Sequence, residues 1–350
     1  MATLTQTAYY TRRALKIGAV LLIGFFVVKT SFRIVKNVWQ RLNPPPPPPP
    51  TVAFGKLPKI NFPQQEKRFE LKFQLETIEG GLPQLPNVGK VYFMPKQRPN
   101  LLALDRAKEK ARKMGFHTKP EAISETVYRW TNQETPPTIL EMDINNNNFY
   151  FRYLYENDQG LLKEKYLPNN QQATQEAKNF LKSRGFLADD LATGPVEFDY
   201  LRFSPSGLTP AISLSEADFI RIKLFRSNLD NLKILPPNPQ ESLISFLFSG
   251  SRRWRKRIVE IKYTYFPIEK ETFATYPLKS IEKAWQELQE EKAYIANFGE
   301  NKSGQTVIRK IYLAYYDSAE PQNYLQPIYV FEGDQSFLAY VSAIDPQWTE

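Results

Sequence analysis

The chain contains no cysteine and a single histidine, His117. The first absence excludes disulfides, thiol nucleophiles, thiolate metal sites and lipid attachment through cysteine. The fold must therefore be held by packing alone, and avoidance of cysteine suits an oxidising, extracytoplasmic compartment. The second leaves one imidazole, just after the helix-stopping Gly115, with no cysteine to share a metal, so a surface or cap role is expected of it. A His-based triad also lacks a Gly-x-Ser-x-Gly elbow to present a serine. Nor is there a phosphate-binding Gly-x-x-x-x-Gly-Lys loop, a dinucleotide fingerprint or an EF-hand loop. No catalytic residue, metal ligand or cofactor is expected from the sequence.

What is present in quantity is aromatic. The 350 residues include 24 Phe, 19 Tyr and 5 Trp, a composition that favours half-buried pleated surfaces over an all-helical bundle. The length allows more than one domain or a repeated unit with a sizeable core. The net charge of +9 is spread along the chain, with much of the excess near the N-terminus, which points to anionic lipid before nucleic acid.

That N-terminal region predicts a membrane span. Residues 1–13 are a tail, and Ile17 to Val28 carry no charge. Counted from Ala14 to Phe32, the apolar segment is 19 residues, roughly 28 Å as a helix. Ile17, Val20, Leu21, Leu22, Ile23, Phe25, Phe26, Val27 and Val28 are the expected anchor, with membrane lipid as their partner. Lys29, Arg33 and Lys36, at i, i+4 and i+7, extend the helix as a basic juxtamembrane stripe, giving a segment of residues 14–42. No small-x-small cleavage site follows Val28, which favours an uncleaved anchor. The basic residues on either side of the apolar run nearly balance, so charge alone does not set its orientation. Residues 43–63 follow as spacer and strap. Pro44 to Pro50 are seven consecutive prolines, a polyproline II rod of about 22 Å, and Thr51 to Pro63 read as an extended strap that docks on the body.

The body reads as α+β: three units at 64–168, 169–276 and 277–350, each a helix followed by antiparallel strands. Strict alternation predicts a strand from Phe69 to Leu75. Leu101 to Met114 is a helix with Asn100 as N-cap, a stripe through Leu101, Leu104, Ala107, Ala111 and Met114, and Gly115 as C-cap. Strands follow at Glu125 to Trp130, Thr138 to Ile144 and Phe149 to Tyr155, the last two joined through Asn145 to Asn148 as a hairpin. Residues 106–116 and 176–186 then share Ala, Lys and a closing Gly-Phe at an offset of 70, the mark of an internal repeat. The second unit has a helix at Gln171 to Arg184 and strands near Val196 to Phe203, Phe219 to Phe225 and Ile258 to Phe266. In the third, a helix at Leu278 to Lys292 precedes strands at Val307 to Tyr316, Tyr324 to Phe331 and Phe337 to Ile344. Pro327 cannot donate to a ladder, so its strand starts there or lies at an edge.

The segments SIEKAWQEL (280–288), YLQPIYVFEGD (324–334) and FLAYVSAID (337–345) resemble the PepSY-type fold, in particular the extracytoplasmic regulatory proteins of the YycH and YycI type. The layout of an anchor followed by an ectodomain is similar too, whereas the proline spacer and the extra unit depart from that pattern. The resemblance implies a non-enzymatic, membrane-tethered bacterial protein, single-pass, with its body outside the cytoplasm.

Chemistry-bearing residues are few. Ser280 and Lys283 form Ser-x-x-Lys, and Lys302 to Gly304 resemble a Lys-Thr-Gly element, but they lie too close together for a penicillin-recognising enzyme, so Ser280 reads as an N-cap. Asp189 with Asp190, or Glu141 with Asp143, are the carboxylate pairs available for acid–base work, with surface charge as the default reading. The sharpest feature is the run Arg252, Arg253, Trp254, Arg255, Lys256 and Arg257, able to grip phosphate, anionic polymer or headgroups. Tyr324, Tyr329 and Phe331, near the expected Pro327 edge, are the other candidate binding residues. The reading that follows is a non-catalytic anchored ectodomain that binds an envelope protein or peptide at sheet edges or inter-unit grooves. No nucleic-acid partner is expected, for want of a broad basic face. A cell-envelope hydrolase using carboxylates and a binder of anionic polymer or DNA through the basic loop are the alternatives.

Overall fold

The first segment with helical periodicity forms one uninterrupted helix, α1 (Leu4–Leu42), within a unit that spans Met1–Pro49. The computed structural model describes residues 4–42, 49–64, 71–96, 101–300 and 304–350. On α1, Ile17, Leu21, Leu22, Phe25, Phe26, Val27 and Val28 are exposed, while the side chains of Val20 and Ile23 lie outside the description. Among the described residues no helix is long and apolar enough to cross a membrane. The uncharged run, Ile17 to Val28, has 12 residues and extends about 18 Å against a hydrocarbon core of about 30 Å. Beyond it, Lys29, Thr30, Ser31, Arg33 and Lys36 interrupt the apolar residues. Most of the proline run, Pro44 to Pro48, lies outside the described residues.

The body, Pro50–Glu350, is a second compact unit. It begins with β1 (Leu71–Leu75), β2 (Val88–Phe93), α2 (Ala103–Lys113), β3 (Glu121–Ala122), β4 (Val127–Thr131), β5 (Thr138–Asp143) and β6 (Phe149–Tyr153). There follow α3 (Asn170–Ser183), α4 (Asp189–Thr193), β7 (Val196–Ser204), β8 (Gly207–Pro210), β9 (Phe219–Leu224), β10 (Lys233–Leu235), β11 (Ile244–Ser249), α5 (Trp254–Arg257) and β12 (Ile258–Tyr263). The chain closes with β13 (Glu269–Pro277), α6 (Ile281–Gln289), β14 (Tyr294–Asn297), β15 (Gly304–Tyr316), β16 (Tyr324–Leu325), β17 (Pro327–Gly333) and β18 (Leu338–Ser342). The architecture is α+β with mostly antiparallel sheets.

The first two expected units do not own separate sheets. Among the described residues nine of their strands make one sheet, β3-β4-β5-β6-β12-β11-β9-β7-β8, while β1, β2, β10 and β13 join other sheets. Its order reads outward symmetrically from the antiparallel β6–β12 seam, where Phe151 faces Ile261. Two α-β-β-β-β meanders thus meet as a two-fold axis normal to the sheet would place them, with β8 as an extra edge strand. Helices α2 and α3 lie on the same face, driving Ala107, Ala111, Ala173, Ala177 and Leu181 into one core with Phe151, Ile222, Phe246 and Ile261. Both helices end alike. Gly115 and Gly185 adopt positive φ, and Phe116 and Phe186 donate back to Ala111 and Leu181 at 2.9 and 2.8 Å, the six-to-one bond of a Schellman cap. The shared Gly-Phe is therefore a helix stop that also plants a ring in the core. Leu101 is fully exposed, outside α2, and Asn100 lies outside the described residues.

The third unit is built differently. Its strand order is β15-β17-β18-β14, so the first strand pairs with the last, and β1 and β10 join the long strand β15 in parallel. Helix α6, capped by Ser280 accepting from the Lys283 amide at 3.3 Å, packs Ile281, Ala284 and Leu288 on one face. The segment after Pro50 is a strap: Leu57 is buried on the α6 side, and Ile60 and Phe62 pack on the opposite face against Tyr316 and Tyr340. A small third sheet, β13-β2-β16, completes the body.

One buried charge ties the two lobes. Arg226, just past β9, donates to Asp190 at 2.6 Å, to Asp317 just past β15 at 3.2 Å, and to the Phe266 carbonyl at 3.1 Å. Its guanidinium lies 4.6 Å from the Tyr265 ring. All three charged residues are at most 7% exposed. Burial works against the charge on Arg226, but Asp317 and Asp190 more than offset it and hold the guanidinium protonated. Removing one member strands the others in low dielectric. Arg226→Met is therefore expected to cost about 3–5 kcal/mol in urea unfolding, and adding Asp190→Asn and Asp317→Asn to recover part of that loss; an unchanged midpoint in the single variant would refute the assignment.

Candidate functional site

The basic run sits where β11 hands over to β12, and small residues set its shape. A side chain on Gly250 would meet the Glu164 carbonyl at 1.9 Å, so only glycine lets the 161–166 segment pack there, with the Tyr166 amide donating to the Gly250 carbonyl at 3.1 Å. Ser249 donates to the Lys256 carbonyl at 2.5 Å and Ser251 to Glu164 at 3.0 Å. These bonds wrap residues 249–257 into a turn ending in the short helix α5.

Within that turn most of the charge is neutralised internally. Arg257 makes a two-point pair with Glu176 of α3, both bonds 3.0 Å, and donates to the Tyr166 carbonyl at 2.8 Å. Lys256 reaches Asp158 at 2.5 Å, and the Tyr153 hydroxyl donates to the same carboxylate at 2.6 Å. Burial tends to raise the Asp158 pKa, but the bonds from Lys256 and Tyr153 prevail and hold it below the ordinary aspartate value; the same bond to Asp158 raises Lys256. Arg255 pairs with Glu134 in an exposed contact. Arg252 stacks 3.8 Å from the Tyr166 ring. Only Arg253 has no side-chain partner among the described residues. The indole between them, Trp254, is 68% exposed.

Trp254 stands over Gly115 at the end of α2 and forms one wall of a cavity of about 450 Å³. Met114, Phe151, Phe180 and Ile258 supply its apolar lining. Arg255 and Arg257 enter it with their partners Glu134 and Glu176, and so does Arg184, the last residue of the α3 cap. Arg184 lies flat on Phe180 at 3.8 Å. One terminal nitrogen donates to the Phe180 carbonyl at 3.3 Å and to Ser183 at 2.9 Å. Its Nε is buried with no partner. Burial lowers the Arg184 pKa, and no neighbouring charge opposes it.

The other expected residues fall elsewhere. Pro327 does begin β17, but β17 runs between β15 and β18 with both faces covered, so there is no edge at this strand. Tyr329 and Phe331 are core residues, 2% and 0% exposed; the Tyr329 hydroxyl donates to the Lys279 carbonyl at 2.7 Å, and Phe331 packs beside Trp285 at 6.1 Å. Tyr324 is half-buried beneath Phe54 of the strap, 4.9 Å away. Neither of the two core rings can meet a partner. His117 is exposed beyond the Gly-Phe stop. The carboxylates are committed: Glu141 to Arg129 at 2.6 Å, Asp143 to the turn amides of Asn145 and Asn146, Asp190 to Arg226. Asp189 is exposed at the start of α4. Lys302 and Ser303 lie outside the described residues. Among those residues no group of three or more His, Asp or Glu is placed to hold a metal ion.

A wider groove of about 1300 Å³ runs between β7 and β9 on one side and β15 and β17 on the other. Its central cation, Lys223, is already held by Asp199 at 3.0 Å, Glu197 at 3.5 Å and the Gln240 carbonyl at 3.0 Å. Arg184, in the smaller cavity, has no such acid.

No family model matches the chain, and no curated protein does. Among solved structures, one of an uncharacterized protein from Eubacterium rectale ATCC 33656 is similar over 74% of this chain and 84% of its own, at 12% identity and a TM-score of 0.39. A likeness that distant carries no argument.

The Lys256–Asp158 pair makes a pH prediction. A lowered Asp158 pKa gives stability that is present above the ordinary aspartate value and lost as pH falls below about 4; a raised Lys256 pKa gives stability lost only above about 10. The difference in urea midpoint between wild type and Lys256→Met should hold from pH 5 to 9 and shrink below pH 4. A difference that grows on acidification would contradict it. Separately, Arg253→Ala should change stability by less than about 0.5 kcal/mol, whereas Arg257→Ala, which leaves Glu176 and three carbonyls without their donor, should cost about 1.5–3 kcal/mol.

Proposed function

We propose that this protein is a membrane-anchored, non-catalytic binding protein of the bacterial cell envelope, with its body outside the cytoplasm, engaging a segment of another envelope protein or a peptide in a regulatory or assembly role. The observation that carries the binding half is the Trp254 cavity. An indole 68% exposed, beside a hollow of small-ligand size and a second hollow of about 180 Å³ on its other side, is the kind of aromatic anchor on which interface energy concentrates. Its setting supports a binder: Arg255 with Glu134 and Arg257 with Glu176 are tied into pairs that fix the wall.

The anchoring half rests on the sequence of α1. The apolar side chains from Ile17 to Val28 need a non-aqueous partner, and the run is short for a bilayer core. Basic residues at both ends, Arg13 before it and Lys29, Arg33 and Lys36 after it, lengthen its reach by laying their stems in the apolar layer with their charges at the headgroups. The resemblance of 280–288, 324–334 and 337–345 to the YycH and YycI type agrees with an outward-facing regulatory role, and orients the N-terminus inward.

Two measurements separate the halves. Full-length protein in native membranes should stay in the pellet through alkaline carbonate washing, while a chain in which Leu21, Phe25 and Val28 are each changed to Asp should be released; release of the wild type ends the anchor. A photoreactive residue in place of Trp254 should yield a discrete adduct in native membranes, and one in place of exposed Ile212 should not. Equal yields at both positions would remove the binding assignment.

A further inference from the structure

Charge balance within the Trp254 cavity narrows what it can hold. Arg255 faces Glu134 and Arg257 faces Glu176, so those four charges cancel and one guanidinium, that of Arg184, remains. It is half-buried and rigid: stacked on Phe180 and bonded by one terminal nitrogen to its own helix end. Its Nε is sealed off and one terminal nitrogen is already bonded, which leaves the second terminal nitrogen to meet a ligand. A guanidinium N–H donates a charge-assisted hydrogen bond to a carboxylate oxygen. Around it lie Met114, Phe151, Phe180, Ile258 and Trp254, a lining suited to a flat or branched apolar group. A phosphate dianion fits less well, since it brings a second charge next to Glu134 and Glu176.

We infer that this cavity takes a carboxylate carried next to an aromatic or apolar side chain, with the carboxylate on Arg184 and the side chain on Trp254 and Phe180. The inference rests on the reading of the body as a binding protein and names the chemistry of its ligand: a peptide segment presenting either its free C-terminus after an apolar residue or an acidic side chain beside one.

The test uses the full chain in detergent micelles, with N-acetylphenylalanine as probe and N-acetylphenylalaninamide as its uncharged match, followed by calorimetry. The acid should bind at least tenfold more tightly than the amide. Arg184→Met should abolish the preference, Arg184→Lys should keep part of it, and Trp254→Ala should weaken both probes alike. If Arg184→Met does not fold, the lysine and alanine variants carry the comparison. Equal binding of acid and amide, binding of neither, or a preference that survives loss of the guanidinium overturns the inference. N-acetyl-Asp-Phe-amide then identifies the source: acid-selective binding that it shares assigns the site to acidic side chains, and binding restricted to N-acetylphenylalanine assigns it to C-termini. Because no partner protein is present, equal acid and amide binding alongside an adduct at position 254 sinks this inference alone. Acid selectivity without any adduct sinks the envelope-partner reading alone.

Discussion

A charge buried away from water must be met on every side, and in this body that demand falls on Arg226. Its four partners come from three places in the chain: Asp190 from α4, Tyr265 and Phe266 from the exit of β12, Asp317 from the exit of β15. None can be displaced without leaving an ion unpaired in low dielectric. The ends of these elements therefore have to arrive together, which sets the nine-stranded sheet against the sheet built on β15. β10 follows from the same constraint, because it leaves the Arg226 segment to pair in parallel with β15, and the Asp317 amide donates to the Leu235 carbonyl at 2.8 Å. Apolar burial supplies most of the driving force for each lobe; the ionic cluster selects how the lobes meet.

The candidate site is a product of the repeat and of departures from it. At an offset of 70, Arg106 corresponds to Glu176, Lys110 to Phe180 and Met114 to Arg184. In the first half the Lys110 ammonium lies 4.8 Å from the Phe186 ring. In the second half the aromatic and the cation belong to one helix, Arg184 on Phe180, and Glu176 is free to hold Arg257. The small-residue stripes and the Gly-Phe stops are common to both halves and carry the fold. The three substituted positions, with Met114 itself, line the cavity. Symmetry made the frame, and its local breaking made the chemistry.

Where side chains alternate, the sequence read well. β5, β6, β9 and β12 each keep one face in the core, and the stripe of α6 falls where spacing puts it. β11, reading Ile-Ser-Phe-Leu-Phe-Ser and buried throughout, has no alternation to read, because helices cover one face and the Tyr155, Leu161 and Leu201 cluster the other. β2 and β13 owe their state to each other across nearly two hundred residues. The merging of two units into one sheet is likewise a long-range pairing that no local pattern encodes. The third unit misled for a related reason: Pro327 does open a strand, but a proline at a first residue has no ladder bond to lose even in a central strand, so Tyr329 and Phe331 are sealed. At the site, the basic run was legible as charge. Its neutralisers, Glu134, Asp158 and Glu176, lie about 80 to 120 residues upstream, and Arg184 looked like one more helix-end arginine.

The strap that opens the body runs beside the last residues of the chain. Leu57 bonds the Trp348 carbonyl at 2.8 Å and accepts from the Glu350 amide at 2.9 Å, and Val52 bonds the Thr275 carbonyl at 3.0 Å. Both ends of the body are thereby sewn into one seam. A pull on the chain at Pro50 loads the Val52 bond to β13 first and the Leu57 bonds after it. Because Leu57 is itself a fully buried member of the core beside α6, parting the seam opens that core, while the hollow beneath Trp254 is lined by other residues.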